Sequence, residues 1–431
     1  MLNDLRFILK CFLIFIFLCS NVFAQSYQSL TDFAKKSQIN GNLRMYNFTH
    51  TFGNPTQPNQ NSFSLGGRLN LITAPLYGFK GGFSFYGAES LDLNSTIFSH
   101  TDPTLPGRSV NVLGQSYLGY EHDIWMIRGG NQLINTPWLN QADTRMIPAT
   151  YQGFYTTLAI PNQNLKITAF NIDRFKGRTS KHFNRSNLYT PGNYGGTSIP
   201  QMAHVAVNGA FAGGINYAKL IENHHNVQTQ AWYYKFHDFG NLLYFDGLYQ
   251  YRTLSKINPF IGAQAGREWG DGKNYLQSFG YGSTNSTVYG FFTGLRFPES
   301  QISLAYNRIP NHHGAYQNGD LVSPYTSGYV SDPLYTSSMM GGLIEKSSGY
   351  AFRLRGLSLF LDKKLKLQAT VAKYFTEPTT QNTNEVDVEA QYSFQQGWLK
   401  GLIITQRFGL LNGNPSFGRS FYSRLMLQYN F

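Results

Sequence analysis

Apolar and polar residues alternate with a period of two along most of the chain. Near the C-terminus, Leu425, Leu427 and Tyr429 fall on one face of an extended segment, and Arg424 and Gln428 fall on the other. Residues 385–394, 365–371, 350–355 and 63–71 follow the same rule. A period of two indicates strands with one apolar face, and no helical period fits these segments.

Short turn-forming segments separate pairs of predicted strands, and longer segments rich in Pro, Gly and Ser separate the others. The short turns fall at 74–78, 122–123, 161–164, 222–225, 298–300 and 362–364. The long loops fall at about 92–110, 134–152, 176–205, 270–285 and 309–347. This rhythm predicts about 18 antiparallel strands with both termini on the same side. Strands near 165–175 and 258–269 alternate poorly, so the pattern assigns no inward face to them.

The composition favours a transmembrane barrel. Charged residues make up only 13% of the chain, whereas soluble domains carry roughly a quarter. In a bilayer every backbone amide needs a partner, so a sheet can cross only if it closes on itself. The sequence therefore predicts an all-β fold, a transmembrane antiparallel β-barrel that occupies residues 25–431 as one domain. The short turns are expected in the periplasm and the long loops outside the cell.

The first residues are typical of a secretory signal. Arg6 and Lys10 precede an apolar run, and Val22 and Ala24 are the small residues that suit cleavage after Ala24. We therefore expect residues 1–24 to be removed. Cys11 and Cys19 both lie in this segment, so the mature chain is predicted to form no disulfide and no thiolate metal site. The sequence predicts no cofactor, no metal site and no catalytic residues, because its paired histidines fall in turns or loops.

Charged residues on the face opposite the apolar one are predicted to line a pore. An outward Arg or Lys at mid-depth of a bilayer costs about 2–4 kcal/mol, so strand cations are expected to face inward. Nine are assigned to a basic ladder: Arg44, Arg68, Arg128, Arg296, Arg353, Arg355, Lys366, Arg407 and Arg424. One strand carries an acidic strip of Glu385, Asp387 and Glu389, expected opposite the ladder. The two rows could set a transverse field that suits a zwitterion, or they could neutralise each other in salt bridges.

One segment resembles a known family. It contains Gly130-Asn131-Gln132, Thr136-Pro137, Asp143-Thr144-Arg145-Met146-Ile147-Pro148 and Gly153. This spacing is similar to that of the OprD family of outer-membrane porins. Asn131 stands where the family often has Arg.

The resemblance implies an 18-stranded monomeric barrel whose third long loop, at 134–152, folds inward as a constriction. It also implies a row of basic side chains that guides small carboxylate-bearing solutes. The residues expected at the constriction are Asn131, Gln132, Trp138, Asp143 and Arg145. Asp143 is expected either to face the solute or to hold the loop down by pairing with Arg145 or a wall arginine.

The leading hypothesis is a diffusion channel for small anionic or zwitterionic nutrients in the outer membrane of a Gram-negative bacterium. One alternative is a general porin without preference, and another is a surface protein that contacts host cells through loop 309–347. The expected partners are outer-membrane lipid, lipopolysaccharide, carboxylate-bearing solutes and the barrel-assembly machinery, which would engage Phe431. Nucleic acid is not expected as a partner, and a monomer is preferred to a trimer.

Overall fold

The structure is a computed structural model, and it describes residues 29–105, 109–191, 199–222, 224–253, 255–326, 331–377 and 381–431. The expected signal peptide at 1–24 lies outside these residues. A short helix, α1 (Leu30–Lys36), precedes the first strand. Ser29 caps it by accepting a hydrogen bond from the Thr31 amide, and Asp32 in its first turn and Lys35 and Lys36 in its last turn suit the helix dipole.

Eighteen strands form a single antiparallel sheet. The first nine are β1 (Gln38–Phe52), β2 (Gln60–Ile72), β3 (Phe79–Glu89), β4 (Val110–His122), β5 (Trp125–Gln132), β6 (Thr150–Ile160), β7 (Leu165–Lys176), β8 (Ala210–Ile221) and β9 (His225–Phe236). The other nine are β10 (Gly240–Tyr251), β11 (Asn258–Trp269), β12 (Asn285–Arg296), β13 (Ser300–Ile309), β14 (Gly349–Phe360), β15 (Leu365–Thr376), β16 (Thr383–Ser393), β17 (Leu402–Asn414) and β18 (Gly418–Asn430). A second short helix, α2 (Tyr275–Ser278), lies between β11 and β12.

Each strand pairs with its neighbours in sequence, and the sheet closes where β1 pairs with β18. The Gly41 amide donates to the Phe431 carbonyl, and the Phe431 amide donates to the Gly41 carbonyl. Closure removes both free edges. The predicted all-β antiparallel barrel of about 18 strands is therefore confirmed.

The alternation of the sequence becomes an outer and an inner face. On β1, the Leu43 side chain is 60% exposed on the outside, whereas the adjacent Arg44 is 5% exposed on the inside. All six predicted short turns lie at one end of the barrel together with the start of β1 and the end of β18, and we call it the turn end. The long loops lie at the opposite loop end. Among the described residues, no helix has the length and hydropathy required to traverse a bilayer.

Three long loops carry most of the buried residues that lie outside the strands. They are L3 (133–149), L4 (177–209) and L7 (310–348), and residues 192–198 of L4 and 327–330 of L7 lie outside the described ranges. Thr150 to Gln152, expected in the loop, instead belong to β6. Side chains of L3, L4 and L7 form one large buried apolar cluster with the inward side chains of β6–β10, which we call the loop core. The cluster continues along the inner faces of β12–β15.

Candidate functional site

Seven of the nine predicted ladder residues lie on neighbouring strands. Their strands run from β14 to β18 and continue through closure to β1 and β2. We call the inward face of these strands the charged wall, and its cations are Arg44, Arg68, Arg353, Arg355, Lys366, Arg407 and Arg424. Arg128 on β5 and Arg296 on β12 lie apart from it.

The acidic strip lies within the charged wall and not opposite it. Strand β16 carries Glu385, Asp387 and Glu389 and is hydrogen-bonded between β15 and β17. In this register Glu389 stands directly beside Arg407, which in turn pairs with Arg424. The expected position across the bore was wrong, because strand order places the carboxylates between the cations. The two rows do not face each other, so they do not set the predicted transverse field across the bore.

Each acid of the strip has a partner. The Glu389 carboxylate accepts a hydrogen bond from Lys366 Nζ at 2.8 Å and forms a second ion pair with Arg407. Glu385 accepts from the Met340 amide at 2.6 Å, and Asp387 accepts from the Met339 amide at 3.2 Å. The strip therefore neutralises two wall cations and anchors the backbone of L7.

Asp143 joins L3 to the charged wall. Its Oδ1 lies 2.5 Å from Arg44 Nη1, and its Oδ2 lies 3.2 Å from Arg68 Nη1. Arg44 also donates to the carbonyl of Arg145 at 2.7 Å. The structure thus pairs Asp143 with two wall arginines, which is the loop-holding arrangement, and it does not pair Asp143 with Arg145.

Three guanidinium groups come together where L3 and L4 meet the wall. Arg424 lies over the Tyr422 ring at 4.0 Å and over Phe48 at 4.8 Å. Arg145 donates to the Thr104 hydroxyl at 2.8 Å, and Arg178 donates to the Thr144 hydroxyl at 3.2 Å. We call Arg145, Arg178 and Arg424 the arginine cluster.

The three groups of the arginine cluster influence one another electrostatically. Burial, followed by the charge of Arg424, lowers the pKa of Arg145. Burial, followed by the charge of Arg145, lowers the pKa of Arg178. The Asp102 carboxylate acts on both loop arginines in the opposite direction. Guanidinium groups stay protonated in proteins, so all three carry a positive charge. Within the described parts of the chain, none of the three forms an ion pair with a carboxylate.

Trp138 belongs to the loop core and not to a solute-facing surface. Its side chain is 0% exposed, and its ring packs edge-on against Tyr244 with centroids 5.8 Å apart. Its backbone amide donates to the Tyr234 hydroxyl at 3.4 Å. Trp138 therefore anchors L3 to the inner faces of β9 and β10.

Asn131 and Gln132 are also separate from the arginine cluster. Asn131 bonds to the side chains of Ser116 and Gln152 on the adjacent strands. Ser116 pairs with Phe83, which is exposed on the outer face, so Asn131 faces outward. Gln132 is fully buried and donates to the Gly153 carbonyl at 2.9 Å. Of the five residues expected at the constriction, only Asp143 and Arg145 contact the charged wall or the arginine cluster.

The remaining ladder residues have local partners. Arg128 lies between the rings of Tyr117 and Tyr155, 5.1 and 4.9 Å from their centroids. Arg296 donates to Gln301 and Gln250 at the turn end. On β14, Arg353 donates to the Ser337 carbonyl of L7 at 2.7 Å, and Arg355 donates to the Thr370 hydroxyl at 3.3 Å.

Sequence reasoning missed Arg178 and the wall contacts of Met339 and Met340. Arg178 lies beyond the end of β7, where no alternation assigns a direction to its side chain. Met339 and Met340 are held through their backbone amides. Nearly every residue has a backbone amide, so the residue type does not indicate such a contact. Most described residues of L7 are buried, and Asn311, His313 and Gly314 are exposed. No three His, Cys, Asp or Glu side chains in the described ranges form a group that could hold a metal ion.

Comparison with known proteins agrees with this architecture. The model of the family described as outer membrane porin, OprD family, matches residues 125–342. No curated protein sequence matches the chain.

Several solved structures share the fold. OccK9 (OpdG) of Pseudomonas aeruginosa has a TM-score of 0.76 at 16% identity, with 93% of this chain and 99% of that chain covered. A BenF-like porin from Pseudomonas fluorescens Pf-5 has a TM-score of 0.74 at 15% identity, covering 93% and 99%. Pseudomonas aeruginosa OpdK, solved with vanillate, has a TM-score of 0.72 at 16% identity, covering 92% and 99%.

The family match, the closed barrel and the loops inside it lead to the same result, and they confirm the resemblance seen in the sequence. This chain belongs to the OprD family of outer-membrane porins, and it is a channel protein of the Gram-negative outer membrane.

Proposed function

We propose that this porin is a diffusion channel that prefers small carboxylate-bearing anions, and that the arginine cluster recognises the carboxylate. The observation that carries the proposal is the contrast between the wall cations. Asp143 and Glu389 pair with Arg44, Arg68, Lys366 and Arg407, whereas no carboxylate pairs with the arginine cluster in the described residues. The cluster therefore offers an entering anion three neighbouring guanidinium groups that have no ion-pair partner among the described residues.

The chemistry of the cluster suits a carboxylate. Guanidinium binds carboxylate with two parallel hydrogen bonds, and its planar group stacks on aromatic rings. Tyr422 and Phe48 hold the Arg424 guanidinium by its face, which leaves the nitrogen edge for hydrogen bonding. In support, OpdK was solved with vanillate, which carries one carboxylate. Anions are preferred to zwitterions, because the acidic strip is neutralised within the wall.

The other charged groups would complete the pathway. Arg353 and Arg355 lie on the same wall two residues apart, and Arg407 lies beside Arg424 in register. A low-dielectric wall focuses the potential of such a row and raises the local anion concentration. Transport requires several weak sites, because a single tight site would retain the solute.

The test is the block of ion current by acetate through single channels in planar bilayers. We expect Arg424→Gln to weaken the acetate block by about tenfold or more, because a charge-assisted hydrogen bond is lost. The anion-over-cation permeability ratio from reversal potentials should fall with it. Arg185→Gln, which removes an exposed cation of L4, is the matched control and should leave both quantities near their original values.

Equal effects of the two substitutions would contradict the proposal, because selectivity would then follow total charge and not the cluster. Acetate block that persists unchanged in Arg424→Gln would contradict it as well. The heat-modified mobility of the protein in detergent gels would confirm that both variants are folded barrels.

A further inference from the structure

Three cations face outward near the loop end of alternate strands. They are Arg267 on β11, Arg308 on β13 and Lys373 on β15, each within the last four residues of its strand. Their direction follows from alternation, since the adjacent Glu268, Asn307 and Ala372 are buried on the inner face. These side chains cannot contribute to the pore, so the proposed transport function does not explain them.

Aromatic side chains support two of these cations. The Arg308 guanidinium lies 5.5 Å from the centroid of the Tyr350 ring, and Lys373 Nζ lies 4.8 Å from that of Phe375. Tyr350 and Phe375 stack on each other with centroids 4.7 Å apart. The rings form a continuous platform across β14 and β15. Cation–π contact fixes the charged groups at the surface and leaves their hydrogen-bond donors available.

These cations lack acidic partners in the described part of the chain. Arg267 donates to the backbone carbonyls of Glu268 and Ser286. Arg308 and Lys373 form no ion pair with a described residue, whereas Lys235 on nearby β9 pairs with Asp271 at 3.3 Å. Glu377, in the loop after β15, accepts a hydrogen bond from Asn311. The outer face of β11–β15 therefore presents positive charge that the protein leaves uncompensated.

Outward cations elsewhere on the rim include Arg174 on β7, which follows the exposed Asp173, and Arg419 on β18, which precedes the buried Ser420. On β1, β4 and β5, the outward residues near the loop end include Thr49, Asn111 and Asn131, which are uncharged, and β3 ends with the acidic Glu89. A barrel that only needed polar side chains at its water boundary could use such residues all round. The run of cations on β11, β13 and β15, none of which has an acidic partner among the described residues, points to a ligand with negative charge at that depth of the membrane.

We propose that Arg267, Arg308 and Lys373 form a binding site for the phosphate groups of lipid A, the membrane anchor of lipopolysaccharide. Loop ends of outer-membrane barrels face the outside, where the outer leaflet consists of lipopolysaccharide. Alternate strands of a sheet are about 10 Å apart, so the three cations span about 20 Å, and their long side chains can reach phosphates on one lipid headgroup. Exposed apolar side chains below them, including Phe352 and Leu304, would contact the acyl chains.

The experiment is native mass spectrometry of the purified barrel in detergent with added lipid A, which gives a dissociation constant for the bound lipid. The variant carries Arg267→Gln, Arg308→Gln and Lys373→Gln. We expect its dissociation constant for diphosphoryl lipid A to rise about 100-fold, which is roughly fivefold for each cation near an anionic surface. Fully dephosphorylated lipid A should bind wild type and variant equally.

The matched control carries Lys219→Gln, Arg252→Gln and Lys256→Gln, three exposed cations at the turn end. It removes the same charge and should retain the affinity of the wild type. Equal weakening in both triple variants would overturn the site, because attraction would then depend on net charge alone. Equal affinity of the wild type for phosphorylated and dephosphorylated lipid A would overturn the role of phosphate. Competition with inorganic pyrophosphate should not displace the lipid, since a free anion gains no acyl-chain contact, and displacement would contradict a lipid site.

Discussion

The two sides of the barrel interior are built on different principles. On the side of β6–β10, aromatic and aliphatic wall residues pack against L3, L4 and L7 as in the core of a soluble domain. On the side of β14–β18, β1 and β2, charged residues whose partners are other charges or loop backbone lie beside a smaller apolar cluster that includes Tyr46, Phe48 and Tyr422. One cylinder thus holds a large apolar core on one side and a charged wall on the other. We expect solutes to pass along the charged side, away from the barrel axis.

The strongest way to break this division is to remove the anchor of L3 in the loop core. Trp138→Ala deletes a fully buried indole, and such deletions cost about 3–5 kcal/mol. We expect L3 to detach from β9 and β10 and single-channel conductance to rise. Hydrogen exchange of the amides of residues 133–149 should accelerate in parallel.

Trp398 provides the control for this substitution, because its side chain is 88% exposed in a turn. Trp398→Ala should alter neither conductance nor L3 exchange. If Trp138→Ala left both unchanged, the loop core would not be what holds L3 in place.

A smaller effect is expected from the contact between L3 and the charged wall. Removing one partner of a buried ion pair lowers the free energy of unfolding by about 3–5 kcal/mol. Because Asp143 and Arg68 are partly exposed, we expect Asp143→Asn to lower it by about 2 kcal/mol. Arg44 and Arg68 would then lack their counter-charge. The anion-over-cation permeability ratio should therefore increase in reversal-potential measurements.

Asp362→Asn, in an exposed turn, removes the same charge and should leave the ratio unchanged. A fall in anion preference after Asp143→Asn would show that Asp143 does not neutralise the wall arginines.

A third effect concerns pH and the packing of L7 inside the barrel. Burial raises the pKa of Asp332 to about 7. The hydrogen bonds from Ser337 and Leu334 lower this pKa, but their effect is smaller than that of burial. The packed loop therefore binds this proton more tightly than the detached loop does. Stability contributed by the group is greatest below about pH 4 and is lost as pH rises toward 7, with a slope of at most about 1.4 kcal/mol per pH unit.

We expect hydrogen exchange of residues 331–348, corrected for intrinsic rates, to slow between pH 7 and pH 5. Asp332→Asn should reduce this dependence, and the remainder would come from buried groups such as Asp320, whose pKa burial also raises. Asp92→Asn, in an exposed loop, should keep the full dependence. Exchange that accelerates on acidification would contradict the sign.

The strands and the inward direction of the nine ladder residues followed from alternation, because bilayer and water impose opposite demands on the two faces. Alternation failed on β7 for a physical reason. Its inner face carries Phe170 and Ile172, which pack in the loop core, so both faces are apolar. The sequence pattern is lost wherever the lumen is filled by protein and not by water.

Side-chain partners were harder to predict than side-chain directions. Glu385 and Asp387 share one face of β16, as alternation predicts, but their partners are backbone amides of L7, a segment without periodicity. Asn131 was expected at the constriction from its place in a motif, yet its strand position directs it outward. The order and register of the strands determine which side chains are neighbours. Neighbouring side chains can therefore be assigned only when the register of all eighteen strands is known.

Loops that pack inside a barrel allow such proteins to diversify without changing their strands. The strands of an 18-stranded cylinder alone enclose enough width for an aqueous channel. Because the loops decide how much of that width stays open, insertions or exchanges within them can rescale the opening while the membrane-embedded scaffold is untouched. Exchange of L3, L4 and L7 between two such proteins should therefore transfer the size cutoff from donor to recipient.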